Sequence, residues 1–378
     1  MRSCIDENFS QVTKTIPPLH LAVTMRLSEG KARDKLLPLL RSHLVRKVTL
    51  VRYADVQLES DKLSQVIYDL GVGEKRSRWV GLRNVWVSLW TTLRIARRES
   101  PDVFLGFYLF PHGLIAWLAA RLTGRRAVVS LIGSDFNVNL KTPLLGRALR
   151  FMLRHFDAVV VFGENTSQEI IRYGIPEKRV FILPNTADTE IYAPDNTVSP
   201  DVDVICVTDL LPFKRVDLVL RAFKQVYESR PQAKLLIVGD GAVRPALQDL
   251  ARMLGIDRAV EFYGHSTRVV DQLRRARVFV LLSEREGLPM AVIEAMCTGL
   301  PVVVTDVGAI ASVVKDGENG YFVPSPADPK QVAERILTLL SDAAHYSRLR
   351  EAALRVRETH SYERGTQIWE EVLTSLFP

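Results

Sequence analysis

An α/β fold built as two Rossmann-like parallel-sheet domains is what the sequence predicts, and three observations predict it. Short apolar runs rich in Val, Ile and Leu alternate with helical segments along most of the chain, as in sheets covered on both faces. The stretch from Phe279 to Thr305 reads strand, loop, helix, strand. Its apolar run stops at Leu282, Pro289 stands at a first helical residue, Gly299 ends the helix and Val302 to Thr305 is β-branched, one right-handed βαβ unit. The length, 378 residues, exceeds one typical domain and suits two. The expected division is a first domain over 1–190, a linker over 191–202, a second domain over 203–360 and a terminal amphipathic segment over 361–378.

In chain order, residues up to Pro18 read as a polar leader and Leu19 to Met25 as the first strand. The loop Ser28-Glu29-Gly30 leads to a helix over about Ala32 to His43, and Val45 to Arg52 is the second strand. Leu58 to Arg78 carries only weak signals. From Trp79 to Arg98, Leu82, Trp86, Leu89, Trp90 and Leu93 recur at helical spacing, flanked by Arg78, Arg83, Arg94, Arg97 and Arg98. Such a helix either packs its aromatic stripe on the sheet or lies on a membrane surface. Val103 to Ala120 is 18 residues without a formal charge, nominally a membrane span, but Gly106, Pro111, His112 and Gly113 interrupt it. It reads as a strand to Leu109, a loop, and a buried helix over Leu114 to Leu122. Ala127 to Ile132 is the next strand, ending in Gly133-Ser134-Asp135. Asp157 to Phe162 follows, then a helix to Tyr173 capped by Asn165 or Thr166. Val180 to Leu183 leads into Pro184-Asn185-Thr186-Ala187-Asp188.

The segment Ala193 to Asp203 is rich in Pro, Asp, Asn and Ser without periodicity, hence the linker. Val204 to Val207 opens the second domain, followed by DLLPFKR and a helix with Val216, Val219, Leu220, Phe223 and Val226 on one side. Lys234 to Val238 is a strand ending in Gly239-Asp240-Gly241, a tight turn first and a ligand loop second. A helix over Pro245 to Leu254, a strand over Val260 to Tyr263 before Gly264 and His265, and a helix over Asp271 to Arg277 lead to Phe279. Two helices follow Pro324, and Ser361-Tyr362-Glu363 begins the terminal segment.

Bulk properties bound the function. Cys4, Cys206 and Cys297 are widely spaced with no metal-ligand pattern, which points to a reducing compartment. Asp6 and Glu7 near the start, with no apolar core of signal-peptide type, argue against export and for a cytoplasmic protein. Residues 1–190 carry 28 Lys plus Arg against 18 Asp plus Glu, and the remainder 22 against 25, so the stated net charge of +7 resides in the first half. That asymmetry suggests an anionic partner, a phospholipid surface or a phosphate-bearing acceptor. No nucleic-acid module is visible, and the basic residues are dispersed.

Chemistry is expected at the carboxyl ends of the strands, where helix N-termini favour anions. Glu286 lies in the loop before the helix at Pro289, and Glu294 five residues after Pro289, about 7 Å along the axis at 1.5 Å per residue. One ligand could touch both, with Gly287, Leu288, Pro289 and Met290 between them; alternatively both are solvated charges. Lys214 and Arg215 stand at another helix N-terminus, where cations and free N–H groups together hold a diphosphate and stabilise its departure. His112 follows a strand and either hydrogen-bonds a phosphate or sugar hydroxyl or merely starts a helix. Asp135 orients an acceptor hydroxyl or closes an Asx-type turn.

The string E-G-L-P-(x)4-E over Glu286 to Glu294, with EAM, G-L-P-V-V, T-D-V-G and DGENGYFVP after it, closely resembles the donor-site signature of retaining glycosyltransferases of family 4. The resemblance is specific over Phe279 to Pro324, fair over Val128 to Leu254 and thin before Pro101. It implies the GT-B fold, two Rossmann-like domains facing across a cleft, with the terminal segment crossing back to the first. It implies a nucleotide-sugar donor, UDP- or GDP-linked, and no cofactor or metal: no Asp-x-Asp clamp occurs near the site, and Lys214 would stand in for the ion. Glu286 would hold sugar hydroxyls near an oxocarbenium-like transition state, Glu294 ribose hydroxyls, and the backbone around Gly264 would read the base. Gly30, Gly133 and Ser134 would shape the acceptor side. The acceptor implied is a saccharide on a lipid in bacterial surface polysaccharide synthesis, worked on at the inner face of the plasma membrane.

The chain departs from the family at three points. Only Gly30 remains of a Gly-Gly pair, Thr186 replaces a glycine in P-N-G-V-D, and Asp209 replaces the arginine of R-(x)4-K, removing a phosphate clamp. Arg215 compensates, Asp209 pairs with Lys214, or the site is weakened. The rival readings are accordingly a GT-B epimerase or phosphorylase, and a catalytically weak nucleotide-sugar-binding partner.

Overall fold

The computed structural model describes residues 16–27, 29–68, 78–132 and 143–378; in the helices opening at Arg78 and Pro143, side chains are described from residues 83 and 146 onward. The chain forms two compact units, one of residues 1–183 and 366–378 and the other of residues 184–365.

The first unit runs β1 (Leu19–Thr24), α1 (Glu29–Arg41), β2 (Val45–Arg52), β3 (Leu63–Ile67), α2 (Arg78–Glu99), β4 (Val103–Phe107), α3 (Leu114–Thr123), β5 (Arg126–Leu131), α4 (Pro143–Leu153), β6 (Ala158–Val161), α5 (Glu164–Arg172) and β7 (Val180–Ile182). Its seven strands lie in the order β3-β2-β1-β4-β5-β6-β7, and every pairing is parallel. Parallel strands are covered on both faces, so alternate residues serve different layers. Leu21 and Val23 face a core shared with Leu36 and Leu39 of α1 and with Ile368, Trp369 and Val372 near the C-terminus. Ala22, Phe104, Val129 and Val159 face the other core, shared with Ala96 of α2, Ala116 and Ala119 of α3, Leu149 and Met152 of α4 and Ile170 of α5. Each such Leu, Val or Phe contributes about 1.5–3 kcal/mol by leaving water.

The second unit runs β8 (Val202–Val207), α6 (Val216–Ser229), β9 (Leu235–Val238), α7 (Arg244–Met253), β10 (Val260–Gly264), α8 (Val269–Arg274), β11 (Ala276–Leu281), α9 (Met290–Cys297), β12 (Val302–Thr305), β13 (Gly320–Val323), α10 (Pro329–Ser341), α11 (Ala343–Leu354), α12 (Val356–Thr359) and the start of α13 (Tyr362–Ser375). Its six strands lie in the order β10-β9-β8-β11-β12-β13, again all parallel. The order reverses between β8 and β11. Among the described residues no helix is long and apolar enough to cross a membrane.

Several expectations need correction. Glu29 and Gly30 are not loop residues but the first turn of α1, where the Glu29 carboxylate suits the positive end of the helix. Neither Asn165 nor Thr166 caps α5; Gly163 does, at φ 117°, one residue before Glu164. Pro289 is the N-cap of α9 in extended conformation, so the helix begins at Met290. The segment 191–202 is not a free connector. The Arg274 guanidinium donates to the carbonyls of Ile191 and Ala193 at 2.8–3.0 Å, and Arg275 pairs with Asp201 at 3.0 Å, so it belongs to the second unit. The stripe predicted on α2 is divided: Trp86 and Trp90 point to solvent, Leu93 packs partly buried against the core, and Ser88, Thr92, Ile95 and Ala96 form the buried face.

Candidate active site

Where the order of a parallel sheet reverses, the loops leaving the two central strands turn to opposite sides and leave a crevice at their carboxyl ends. In the second unit these loops are 208–215 after β8 and 282–289 after β11. The first closes with a single 3-10 turn, Pro212–Lys214, then Arg215 at φ 49°, a left-handed residue that starts α6. The second passes through Glu286 into α9. The amide of Glu284 donates to the Phe213 carbonyl at 2.9 Å, tying the two loops together.

That tie brings two predicted side chains into contact. The Lys214 ammonium donates to Glu286 Oε1 at 2.6 Å, with only 15% and 9% of the two side chains exposed. The pair is largely withdrawn from water, so the charges interact more strongly than on an open surface. The lysine also lies 5.3 Å from the centre of the Phe213 ring, and the Arg285 guanidinium lies over the same ring at 4.5 Å. Glu294 stands half-buried on α9, the helix that this loop enters.

The loop carrying Glu286 is fixed from several directions. Thr305 Oγ1, at the end of β12, donates to the Ser283 carbonyl at 2.6 Å, and the Ala309 amide donates to the Gly287 carbonyl at 2.7 Å. Asn185 Nδ2 donates to the Leu288 carbonyl at 2.9 Å. Gly308, at φ 65°, lies so close that a Cβ there would be 2.2 Å from the Glu286 carbonyl oxygen and 2.4 Å from that of Gly287. Only glycine fits. Thr305, Gly308 and Asn185 therefore position the loop of Glu286, and their signal in the sequence is the T-D-V-G string and the P-N pair.

Two family profiles cover most of the chain: that described as glycosyl transferases group 1 matches residues 188–356, and a glycosyl transferase 4-like domain matches residues 39–186. The chain is a group 1 glycosyltransferase of family 4 type. Over 270 residues the glycosyltransferase is 29% identical to the N-acetyl-alpha-D-glucosaminyl L-malate synthase of Bacillus anthracis, covering 68% of this chain and 70% of that one. It is 31% identical over 245 residues to the exopolysaccharide phosphotransferase SCO2592 of Streptomyces coelicolor, covering 62% of this chain but 24% of that longer one. The crystal structure of Anabaena Alr3699/HepE in complex with UDP and glucose superposes with a TM-score of 0.75 at 17% identity, over 94% of this chain and all of that one. The fold is GT-B, with two parallel-sheet α/β domains.

The remaining predicted residues of the glycosyltransferase fall in different surroundings. Arg215 does not stand free at the helix start: its Nε and Nη2 donate to the two carboxylate oxygens of Asp217 at 3.0 Å, and Nη1 to Glu284 at 2.8 Å. These carboxylates raise its pKa further. Asp209 is exposed and does not pair with Lys214, which is engaged by Glu286. Gly264 ends β10 at φ 86°, its carbonyl accepting from the Gly239 amide at 2.8 Å; a Cβ on Gly239 would lie 1.9 Å from the Thr208 carbonyl oxygen, so the turn after β9 folds directly onto the loop after β8. Gly287 is exposed, and Leu288, Pro289 and Met290 are half-buried at the head of α9. The Cys206 and Cys297 thiols are buried and pushed up to about 12, which leaves them inert as nucleophiles.

In the first unit His112 is almost wholly buried, its Nδ1 2.8 Å from Thr24 Oγ1 at the end of β1. Burial, then the nearby Arg26 charge, lowers its pKa to about 4, so the ring is neutral at pH 7. It lies where that sheet also reverses, between β1 and β4. Gly133, Ser134 and Asp135 lie outside the described residues. Gly30, exposed in the first turn of α1, lies in helical rather than loop backbone.

Proposed function

We propose that the protein is a retaining glycosyltransferase that moves a sugar from a UDP- or GDP-linked donor to a hydroxyl of a lipid-carried saccharide, in building a bacterial surface polysaccharide at the inner face of the plasma membrane. The observation that carries this reading is the Lys214–Glu286 pair, 2.6 Å apart and mostly desolvated, at the reversal point of the second sheet. A diphosphate entering there meets Lys214, which neutralises the charge that builds on the leaving oxygens. Glu286 then borders the sugar, where a carboxylate favours an oxocarbenium-like centre and accepts hydroxyl hydrogen bonds. Glu294, further along α9, holds the ribose hydroxyls. With the cation supplied by Lys214, the transfer needs no metal, and the acceptor attacks the face the diphosphate leaves, so configuration is retained.

The relatives support the same direction. The Anabaena structure holds UDP and glucose, and the Streptomyces relative is described by an exopolysaccharide. The test is calorimetric titration with UDP and GDP, then incubation with labelled nucleotide sugars and a bacterial lipid extract in EDTA, with the product anomer read by NMR. Failure of both nucleotides to bind overturns the reading. An inverted product overturns the retaining step, and strict dependence on added metal removes Lys214 from the role given to it.

A second reading, a weakly catalytic nucleotide-sugar-binding partner, is favoured by one observation: the exposed Asp209 stands where relatives carry a cation, and Arg215 is already committed to Asp217 and Glu284. Binding without transfer, with transfer gained on Asp209→Arg, would favour it over the first.

A further inference from the structure

The helices on one face of the first sheet form a strongly basic, aromatic-studded outer surface, and we propose that this face docks on an anionic phospholipid bilayer. At about 100° per residue, Arg83, Trp86, Trp90, Arg94, Arg97 and Arg98 fall within an arc of about 120° on α2. Ser88, Thr92, Ile95 and Ala96 occupy the opposite side and are buried. The exposed arc therefore consists of two tryptophans and four arginines, with no acid among them. Trp86 and Trp90 are 69% and 60% exposed, values unusual for side chains of that apolar area.

The neighbouring helices extend the pattern. Both α3 and α4 pack on the same core as α2, so their outer sides belong to the same layer. Leu122 on α3 and Phe151 on α4 are 69% and 59% exposed, with Arg121 beside the first and Arg147 one turn before the second. Among the described side chains, α2, α3 and α4 carry seven arginines, the four on α2 with Arg121, Arg147 and Arg150, against one acid, Glu99. That acid is engaged by Lys47 at 2.7 Å. Beyond them α5, with Glu164 and Glu169, bounds the patch.

The opposite face of the same sheet has no such bias. There α1 and the C-terminal part of α13 balance Lys31, Arg33, Lys35 and Arg41 against Glu29, Asp34, Glu370 and Glu371. Tryptophan is the side chain best suited to the boundary between headgroups and acyl chains, and arginine stems reach over it to place their charge among phosphates. Basic helices without acids gain from the negative potential of an anionic leaflet. Charge complementarity thus favours lipid over a second copy of the chain, which would bring two basic faces together. The surface belongs to the first unit and the pair at Lys214 and Glu286 to the second, so the inference stands or falls independently of the donor reading.

The test is co-sedimentation with vesicles of phosphatidylcholine alone and with about 30% phosphatidylglycerol, where each exposed arginine adds to the attraction only on the anionic kind. The full chain should partition at least about tenfold more strongly onto the anionic vesicles, and high salt should weaken it. Trp86→Ser with Trp90→Ser, and separately Arg94→Gln with Arg97→Gln, should each lose most of that binding while melting as the parent does. Lys31→Gln with Arg33→Gln on the opposite face should lose none. Equal partition onto both vesicle kinds overturns the proposal, as does equal loss in the α1 pair. A solution dimer that the tryptophan pair converts to monomer overturns it too, assigning the face to a second copy. If UDP fails to bind but these results hold, the membrane face stands and the donor reading falls.

Discussion

Neutralising Glu286 and removing Lys214 should shift nucleotide affinity in opposite directions, although the two side chains form one ion pair. In the free protein the Glu286 carboxylate lies 2.6 Å from the ammonium and cancels much of its charge. A diphosphate bound to the same ammonium places a second anion about 6 Å from the carboxylate, and at an effective dielectric of about 40–80 that repulsion is about 0.7–1.4 kcal/mol. Glu286→Gln removes it, so UDP should bind about three- to tenfold more tightly while transfer falls steeply. Lys214→Gln instead deletes a charge-assisted hydrogen bond worth about 1.5–3 kcal/mol, weakening UDP about ten- to hundredfold.

The folded state supplies a cross-check. Lys214→Gln leaves a carboxylate that is 9% exposed without its partner, which should destabilise the second unit by about 2–3 kcal/mol, below the range for a fully buried pair. The double variant, with no stranded charge, should recover part of that loss. Calorimetry for UDP and urea unfolding for stability, on the two single variants and the double, give both cycles. The reasoning fails if Lys214→Gln binds UDP within about twofold of the parent, or if Glu286→Gln weakens UDP to the same extent as Lys214→Gln.

Gly308→Ala should disturb the same loop through the backbone alone: a left-handed residue costs about 1–2 kcal/mol and the displaced Glu286 carbonyl more, so about 2–4 kcal/mol in all, or about 5–15 °C in Tm for a domain of this size. A Tm within about 2 °C of the parent refutes the contact. His112 should make the first unit acid-sensitive: its folded pKa of about 4 lies below the ordinary 6.5, so the unfolded chain takes up the proton first. The stability it protects is complete above about pH 6.5, is down by about 2 kcal/mol at pH 5 and is exhausted near pH 4. In urea unfolding between pH 7.5 and pH 5, His112→Gln should lose about that much less than the parent, and an identical pH slope would refute the assignment. Arg215→Gln should leave UDP affinity within about threefold, because its guanidinium is held by Asp217 and Glu284 and not by the diphosphate; a loss as large as that of Lys214→Gln would restore it to the donor site.

The parallel strands were legible because burial on both faces leaves an uninterrupted apolar run. Val45–Arg52 and Val302–Thr305 appear in the fold with the bounds the sequence predicts. The edge strand Leu63–Ile67 was missed for the converse reason: with one neighbour and no fully buried residue, LSQVI has no run to recognise. On α2 the spacing gave the helix but left open whether its aromatic stripe packs or faces out; the tryptophans face out while Leu93 of the same stripe is partly buried. The neighbouring α3 offers Ala116, Ala119 and Ala120, so close approach selects small residues on α2 and turns the tryptophans out. Spacing alone cannot separate an apolar stripe that packs from one that waits for a surface.

The site divides along a similar line. Glu286, Glu294 and Lys214 stand out in the sequence because residue types at fixed spacing are the mark a diphosphate would leave on a loop that held it, and the fold brings Lys214 and Glu286 into contact. The partners of Arg215 were not legible in the sequence: at φ 49° its side chain reaches Asp217, two residues along, and Glu284 on the other loop. A cation beside a helix start is thus ambiguous until the conformation of that single residue is known. The consequence for Asp209 is direct. With Arg215 held by Asp217 and Glu284, the donor site proposed above would rest its positive charge on Lys214, which Glu286 partly neutralises. A site so arranged would hold its donor weakly at rest and strengthen its grip as the leaving oxygens gain charge, which is the direction in which binding energy accelerates a transfer.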